Sequence, residues 1–596
     1  MTAALGRQGW VRAWPLYPLL LLVLAFFVWP VAQILWLSVL DRAGNFSAEN
    51  YLRVVNTPVY WRTLGITLQI SLWTTLFSLL AGYPVAYLLA TARPRTRDLL
   101  TLLVLMPFWT SFLVRTFAWM ILLGRNGAIN KLLLTLGIVD APLSLIFSFT
   151  GVMIGMVHAM MPLAVMSMLS VMQRIDTNLV SAARTLGARG GSAFWQVWFR
   201  LSAPGVAAAA LLVFISSLGF FITPALLGGR QQTMLSQVII SVIQEVLNWR
   251  FASALSVLLL ATSALVFLLY DRILGSSSLS GGSLHDRAQQ RPPGLLARGG
   301  AALGAAAVGA IAFLCDRAGE AWERIFPQRA ARPTITLSRP LLALVAGLVI
   351  VFLVLPSFFV IPVSFTGGTF IEFPPRGFSL RWYEAYLGAA GWVDATIRSF
   401  VVAVLTGIVA TLIGTAAAFV LVRQPIRARG AILALILAPL VLPRIIIAVG
   451  LFYLYARIGL VGTILGLVIG HTVLAVPYVV ITVMAVLKTY DERQDQAAWS
   501  LGASRWSALW YVTLPQIRAG MIAAFLFAFI TSFDEVVVAL FLADPGSTTL
   551  PIALFAGLRD RLQPPIVVVA VLLSLVSLVF LGLLRRLQMR GSVHKP

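Results

Sequence analysis

Long apolar runs, each near the roughly 20 residues a helix needs to cross a bilayer, recur along the chain between short polar stretches. In the first part they cover 17–40, 64–89, 99–123, 146–172, 206–227 and 252–274. In the second they cover 340–363, 396–422, 431–454, 463–487, 521–542 and 566–584. The pattern predicts an all-α polytopic membrane protein of about 12 spans, six in each part. The first run follows Arg7 and Arg12 and is too long for a signal segment, so it reads as a retained helix.

The two parts are copies. Phe46-Ser47 and Phe378-Ser379, Gly82 and Gly414, and Pro107 and Pro439 share an offset of 332. Beyond the third run the offset falls to 315, matching Pro162 with Pro477, Gly187 with Gly502 and Ser217 with Ser532, as a longer outer loop in the first copy requires. An even number of spans per copy makes the repeats parallel, related by an axis along the membrane normal with a pathway between them. The chain divides into a first transmembrane domain (1–275), a cytoplasmic linker (276–338) and a second transmembrane domain (339–596). Ser-Gly-rich SSSLSGG and RPPG mark the linker as flexible. Its apolar stretch 299–314 is short, and a single extra crossing would invert the second copy, so it is expected not to span; 316–326 is expected to be an amphipathic surface helix.

The most informative repeated stretch is Ser181–Gly205 and its copy Gln496–Gly520. Each reads Ala-Ala, three residues, Gly-Ala: Ala182, Ala183, Gly187 and Ala188, then Ala497, Ala498, Gly502 and Ala503. A large apolar residue, Phe194 or Leu509, follows the glycine by seven positions. Two short amphipathic helices broken at a glycine in the φ > 0 region form an elbow. Its small-residue face admits another protein's backbone, and Phe194 or Leu509 is the expected apolar knob. A plain helical hairpin explains one copy; two copies at matching places favour a docking surface.

Composition narrows the function. With 60% apolar and 11% charged residues the chain has too little polar surface for a soluble domain. Its net charge of +23 sits in short loops, where the positive-inside rule accounts for it without nucleic acid. Arg93, Arg95, Arg97, Arg184 and Arg200 in the first copy, and Arg423, Arg429, Lys488, Arg505 and Arg518 in the second, place the elbows and both termini in the cytoplasm. One cysteine, Cys315, excludes a disulfide framework, and His158, His285, His471 and His594 have no ligand spacing. No catalytic set, metal cluster or cofactor motif is present, so the chain is expected not to be an enzyme.

Few residues within the spans carry chemistry. Asp534 and Glu535 fall in the fifth run of the second copy, where a carboxylate costs on the order of 2.5–3.5 kcal/mol unless it faces protein or water. Neighbouring helix positions diverge by about 100 degrees, so one of them, Asp534, is assigned to the pathway and Glu535 to a buried or interfacial place. The competing assignment is a structural ion pair with Arg115 or Arg444. Trp109, Trp119, Phe220 and Phe221 are candidates to stack on a cation, or else to fill the core. Trp109, Arg115, Asp534 and Glu535 form the expected substrate pathway.

The elbows resemble the EAA motif of bacterial ABC-importer permeases: Glu-Ala-Ala, three residues, Gly, then an apolar tail containing Pro. MPFWTSFLVRTFAW (Met106 to Trp119) and LGFFITPALLGG (Leu218 to Gly229) are similar to the first permease subunit of spermidine/putrescine importers. APLVLPRIIIAVGL, VPYVV and SFDEVVVALFL are similar to the second. The resemblance covers nearly everything outside the linker and implies two type I permease subunits fused in one chain of a bacterial inner membrane. It further implies docking of two copies of an ABC ATPase subunit at the elbows, a periplasmic solute-binding protein, contact with membrane lipid, and a polyamine-like solute moved by alternating access. Ser181 and Gln496 stand where the motif has glutamate, which puts a charge contact with the ATPase in doubt at those sites; Arg200 and Ala519 replace tail prolines. The alternatives are a fused permease for ferric iron, thiamine, an opine or 2-aminoethylphosphonate, or an ion-coupled secondary transporter, against which the parallel repeats stand.

Overall fold

The computed structural model describes residues 13–274 except 42 and 189, residues 309–324 except 311, 322 and 323, and residues 338–592 except 369, 370, 372, 376, 427 and 561–563. His285, His594 and most of the linker, including 299–308, lie outside them. The first copy contains α1 (Trp14–Ser38), α2 (Glu49–Asn56), α3 (Pro58–Thr91), α4 (Pro94–Trp109), α5 (Phe112–Leu123) and α6 (Ala128–Thr135). It continues with α7 (Phe149–Met172), α8 (Thr177–Thr185), α9 (Ala193–Leu218), α10 (Ile222–Leu227), α11 (Leu235–Gln244) and α12 (Trp249–Leu274). The second repeats this order without a counterpart of α6: α13 (Ser338–Ser364), α14 (Arg381–Gly388), α15 (Ala390–Arg423), α16 (Arg429–Val441) and α17 (Arg444–Ile458). Then follow α18 (Ile464–Thr489), α19 (Arg493–Ser500), α20 (Arg505–Phe533), α21 (Val537–Leu542), α22 (Leu550–Asp560) and α23 (Pro565–Ser592). The loop carrying α6 is where the offset changes.

Lipid supplies no hydrophobic drive between helices, so close packing of small residues holds each copy together. On α3 the buried positions Thr63, Thr67, Ser71, Thr74 and Ser78 share one helical face. Thr67 also accepts a 2.9 Å bond from the Leu235 N–H at the start of α11, and Ser399 does the same for Leu550 at 2.7 Å in the second copy. Gly205 and Gly520 mark the crossing of α9 over α7 and of α20 over α18: an added Cβ would fall 2.9 Å from Val171 in one copy and 2.5 Å from Val486 in the other.

Nine helices among the described residues are long and apolar enough to cross a membrane, and two further helix pairs are bent. The expected third spans, 99–123 and 431–454, are these pairs: α4 and α5 meet at 93°, α16 and α17 at 98°. Pro107 and Pro439, near the ends of α4 and α16, weaken the hydrogen-bond ladder there. The expected spans 206–227 and 521–542 also break, at Gly219–Phe221 and at Asp534–Val536.

The first helix of each copy lies against the other copy. On α1, Phe26 packs edge-on to Tyr455 at 6.1 Å, and the Pro30 carbonyl lies 3.0 Å from where a Cβ on Gly450 would sit. In return Phe352 of α13 packs on Trp119 (5.2 Å), and His158 Nε2 donates 3.0 Å to the Leu353 carbonyl. That contact sits beside Pro356, which interrupts the ladder of α13.

In the linker, residues 312–321 are helical. Cys315 and Gly319 face inward, with Gly319 against Ser192 and Trp195 at the start of α9. Phe313 and Leu314 are exposed on the opposite side. The expected surface helix therefore begins earlier than residue 316 and leans on the first elbow arm.

Candidate functional site

Both elbows close with the same turn. In the first, Asp176 caps α8 by accepting from Asn178 N (2.9 Å), and the helix ends where Gly187 takes φ 94°. The Gly187 N–H donates to Arg184 and that of Ala188 to Ala183, at 3.1 and 2.9 Å. In the second, Gly502 has φ 88°, and the N–H groups of Gly502 and Ala503 donate to Trp499 and Ala498, both at 3.0 Å. A Cβ at either glycine would meet nothing within 4 Å, so it is the left-handed backbone that calls for glycine. Ala182 and Ala497 are exposed, and Ala183, Ala188, Ala498 and Ala503 half-buried, in matching register.

The expected knobs point elsewhere. Phe194 is half-buried against Tyr83 (6.2 Å) and Tyr87 (5.5 Å) of α3, and Leu509 is half-buried. Both lie in π-helical turns, Ala193–Phe199 and Leu509–Thr513, whose wider winding rotates the following face and seats it on the protein's own bundle. The large apolar side chains most exposed at equivalent positions of the two elbows are Leu186 and Leu501, 89% and 88% exposed, each directly before its turn glycine; Trp506, Trp510 and Tyr511 are also exposed on the second elbow. Their signal in the sequence was a large apolar residue directly before the turn glycine in both copies.

Away from the elbows, the four helix breaks meet in two crossed pairs. The α20–α21 break of the second copy faces the α4–α5 break of the first, where Asp534 Oδ2 accepts from Phe112 N at 3.3 Å. The α9–α10 break faces the α16–α17 break: a Cβ on Gly219 would fall 2.6 Å from Pro443. Gly219 and Asp534 occupy equivalent positions, since 219 + 315 = 534, so the seam carries a carboxylate on one side only. Non-helical backbone at membrane depth is tolerated where protein or a water-filled cavity covers it, which suits a seam between two moving halves.

The two adjacent carboxylates are held differently. Glu535 is 1% exposed and accepts from the N–H groups of Val537, Val538 and Ala539 at 3.0, 2.9 and 3.0 Å, capping α21 within its own copy. A helix N-terminus favours such an anion. Asp534 is half-buried and bonds across to the start of α5. Among the described residues no arginine or lysine nitrogen lies within 4.0 Å of either carboxylate, so the alternative of a direct ion pair with Arg115 or Arg444 is not formed here. Arg115 is 2% exposed, lies over the Phe112 ring at 4.3 Å, and none of its three guanidinium nitrogens has a hydrogen-bond partner.

The aromatic candidates pack between elements. Trp109 is 7% exposed and meets Phe527 of α20 at 5.0 Å, Phe220 meets Phe112 at 5.3 Å, and Phe221 meets Phe555 at 5.6 Å. No group of three or more metal-ligating side chains occurs among the described residues.

The model of the family described as binding-protein-dependent transport system inner membrane component matches twice, at residues 82–276 and 410–591. The spermidine/putrescine transport system permease protein PotB of Haemophilus influenzae is 36% identical over 256 residues, covering 42% of this chain and 89% of that protein. PotB of Escherichia coli is 35% identical over 227 residues, covering 38% of this chain and 82% of its own. The spermidine/putrescine permease PotC of the same species is 29% identical over 204 residues, 34% of this chain and 77% of its own. Among solved structures, a bacterial ABC transporter involved in import of the acidic polysaccharide alginate aligns with TM-score 0.38 at 15% identity, covering 44% of this chain and 94% of that one. With one family match in each half, the chain is a multi-pass inner-membrane permease carrying two copies of the type I fold, and it belongs to the binding-protein-dependent transport system inner membrane component family.

Proposed function

We propose that this chain supplies both halves of the translocation pathway of an ATP-driven importer, with hydrolysis on two copies of a separate ATPase subunit and solute delivered by a periplasmic binding protein. The observation that carries this reading is the duplicated elbow, with matching turn bonds and protruding Leu186 and Leu501. Both elbows and both termini face the cytoplasm in this reading, as the loop charges favour. Ala182, Ala183, Gly187 and Ala188, with Ala497, Ala498, Gly502 and Ala503, receive the ATPase subunits. Closure of those subunits draws the elbows together and opens or shuts the seam at Asp534, so the halves alternate between two access states.

A polyamine such as spermidine or putrescine is the proposed solute. The names of the relatives and the one-sided carboxylate of Asp534 favour it. A second reading rests on Arg115: a buried guanidinium with unpartnered nitrogens beside Asp534 favours a solute bearing both an amine and an anionic group, such as an opine or 2-aminoethylphosphonate. The test is uptake into proteoliposomes holding this chain, its partner ATPase and its binding protein. Labelled spermidine should accumulate only with ATP and binding protein present. Accumulation driven by an ion gradient without ATP would end the reading, and competition by an amino-phosphonate but not by putrescine would favour the second solute class.

A further inference from the structure

The two elbows share a turn but differ in how they are tied to the membrane helices. In the second, Asp495 lies on a short helix whose other side chains are mostly exposed, yet it is itself 2% exposed. Its Oδ2 lies 2.8 Å from Arg423 Nη2 at the end of α15. Its Oδ1 accepts from the Tyr490 hydroxyl (2.7 Å), just past α18, and from the Thr513 hydroxyl (2.8 Å) in the π-helical turn of α20. Burial, helped by Asp495, pushes the Tyr490 hydroxyl up to about 12, so it remains a donor at neutral pH. The Arg423 guanidinium also lies over the Phe419 and Tyr490 rings, at 5.0 and 5.3 Å. One carboxylate thus joins the elbow helix to three membrane helices.

The path continues from there. Arg423 ends a 34-residue helix, and 423 − 406 = 17 residues back, about 25 Å along the axis, Thr406 accepts a 3.3 Å bond from Ser532. Ser532 is two residues before Asp534, at the break on the seam. Among the described residues the first copy has no such chain. Val180, Ile175, Trp198 and Thr91 stand where Asp495, Tyr490, Thr513 and Arg423 do, and the Thr74 and Ser217 hydroxyls, equivalent to those of Thr406 and Ser532, have no hydrogen-bond partner. There the arm is held by rings, Tyr87 meeting Phe194 and Trp198 at 5.5 and 5.1 Å, and by one neutral hydroxyl pair, Tyr83 and Ser202 at 2.9 Å, with no charged side chain where Asp495 stands.

We propose that Asp495 is a positioning residue for energy coupling: through Arg423 it fixes the second elbow to α15, so that movement imposed on the elbow reaches the seam beside Asp534. A buried carboxylate that accepts from two hydroxyls and lies against a guanidinium has a fixed geometry, whereas an arm packed through rings and one neutral hydroxyl pair is freer to slide. The second elbow is therefore the stiffer transmitter. This inference rests on the ATP-driven reading, but it fails separately: ATP-independent uptake by the unaltered chain would remove that reading, whereas the ratio measured below removes only this one.

The experiment reads solute moved per ATP hydrolysed, in proteoliposomes of the full chain with its ATPase and binding protein, together with co-purification of the ATPase. Asp495→Asn should keep the ATPase bound and hydrolysing while the ratio falls about fivefold or more, and Asp495→Glu should recover part of it. An unchanged ratio in Asp495→Asn overturns the proposal. If Asp495→Asn does not assemble, Thr513→Val removes one hydrogen bond and leaves the ion pair. A lowered ratio in an assembled Thr513→Val complex supports the proposal; an unchanged ratio, or loss of assembly there too, reduces Asp495 to a folding element and overturns it.

Discussion

Replacing the turn glycines in a graded series isolates what the elbows contribute. Gly187 and Gly502 hold φ at 94° and 88°, and a Cβ at either would meet no atom within 4 Å. Alanine therefore adds no clash, only the left-handed penalty of about 1–2 kcal/mol. If all of that falls on the turn, its population drops by roughly 5- to 30-fold, since each 1.4 kcal/mol is tenfold. Asparagine, which tolerates this region, should cost less. Proline forbids it, fixing φ near −65° and deleting the N–H that donates to Arg184 at 3.1 Å or to Trp499 at 3.0 Å. The predicted order of ATP-driven uptake is Gly, Asn, Ala, Pro at each site, with the chain still inserted in the membrane and the two sites behaving independently. Uptake at the unaltered level in Gly187→Pro or Gly502→Pro would refute the coupling role, and Ala outperforming Asn would refute the backbone explanation.

Other expectations follow from the seam and the linker. Asp534→Asn keeps an acceptor for Phe112 N but removes the charge, so uptake of a cationic solute should fall more than ATPase co-purification does; equal losses would make Asp534 structural. Arg115→Met replaces a buried charge whose guanidinium nitrogens lack hydrogen-bond partners by an apolar chain of similar length, and thermal unfolding of the purified chain should be unchanged or shifted upward. A clear downward shift would mean that Arg115 is paired in the resting protein. Burial, reinforced by Asp316, raises the Cys315 thiol, so less thiolate is present at any given pH and maleimide labelling should be slow. Gly319→Leu should pry the linker helix from Ser192 and Trp195 and speed labelling; the same slow rate in that variant would mean the contact is not what shields the thiol.

Asp495 and the two leucines show why part of the site escaped a linear reading. Asp495 precedes the alanine pair on a short polar helix, where a carboxylate normally belongs in water; its burial depends on Arg423, 72 residues earlier (495 − 423), and on a π-helical turn that brings Thr513 round to it. Phe194 and Leu509 were the natural candidates for knobs on a regular helix, and the same π-helical winding turned them inward. Leu186 and Leu501 were visible in both copies but have no periodicity to mark them, because each is the last residue before a reversal of the chain.

Taken alone, the amino-acid order determined the membrane class, the duplication with its change of offset, and the positions of the two elbows. Bilayer thickness imposes run length and a left-handed turn calls for glycine, so both constraints act locally and leave a local trace. Only the tertiary structure decided that α1 and α13 lie against the opposite copies, that the third and fifth predicted spans break and meet at a shared seam, and that Asp534 faces across the seam while Glu535 caps its own helix. These depend on contacts between residues as far apart as Phe112 and Asp534. Every apolar helix in a bilayer is equally content beside lipid or another helix, so the choice of neighbour rests on fitting small residues and satisfying polar groups in three dimensions.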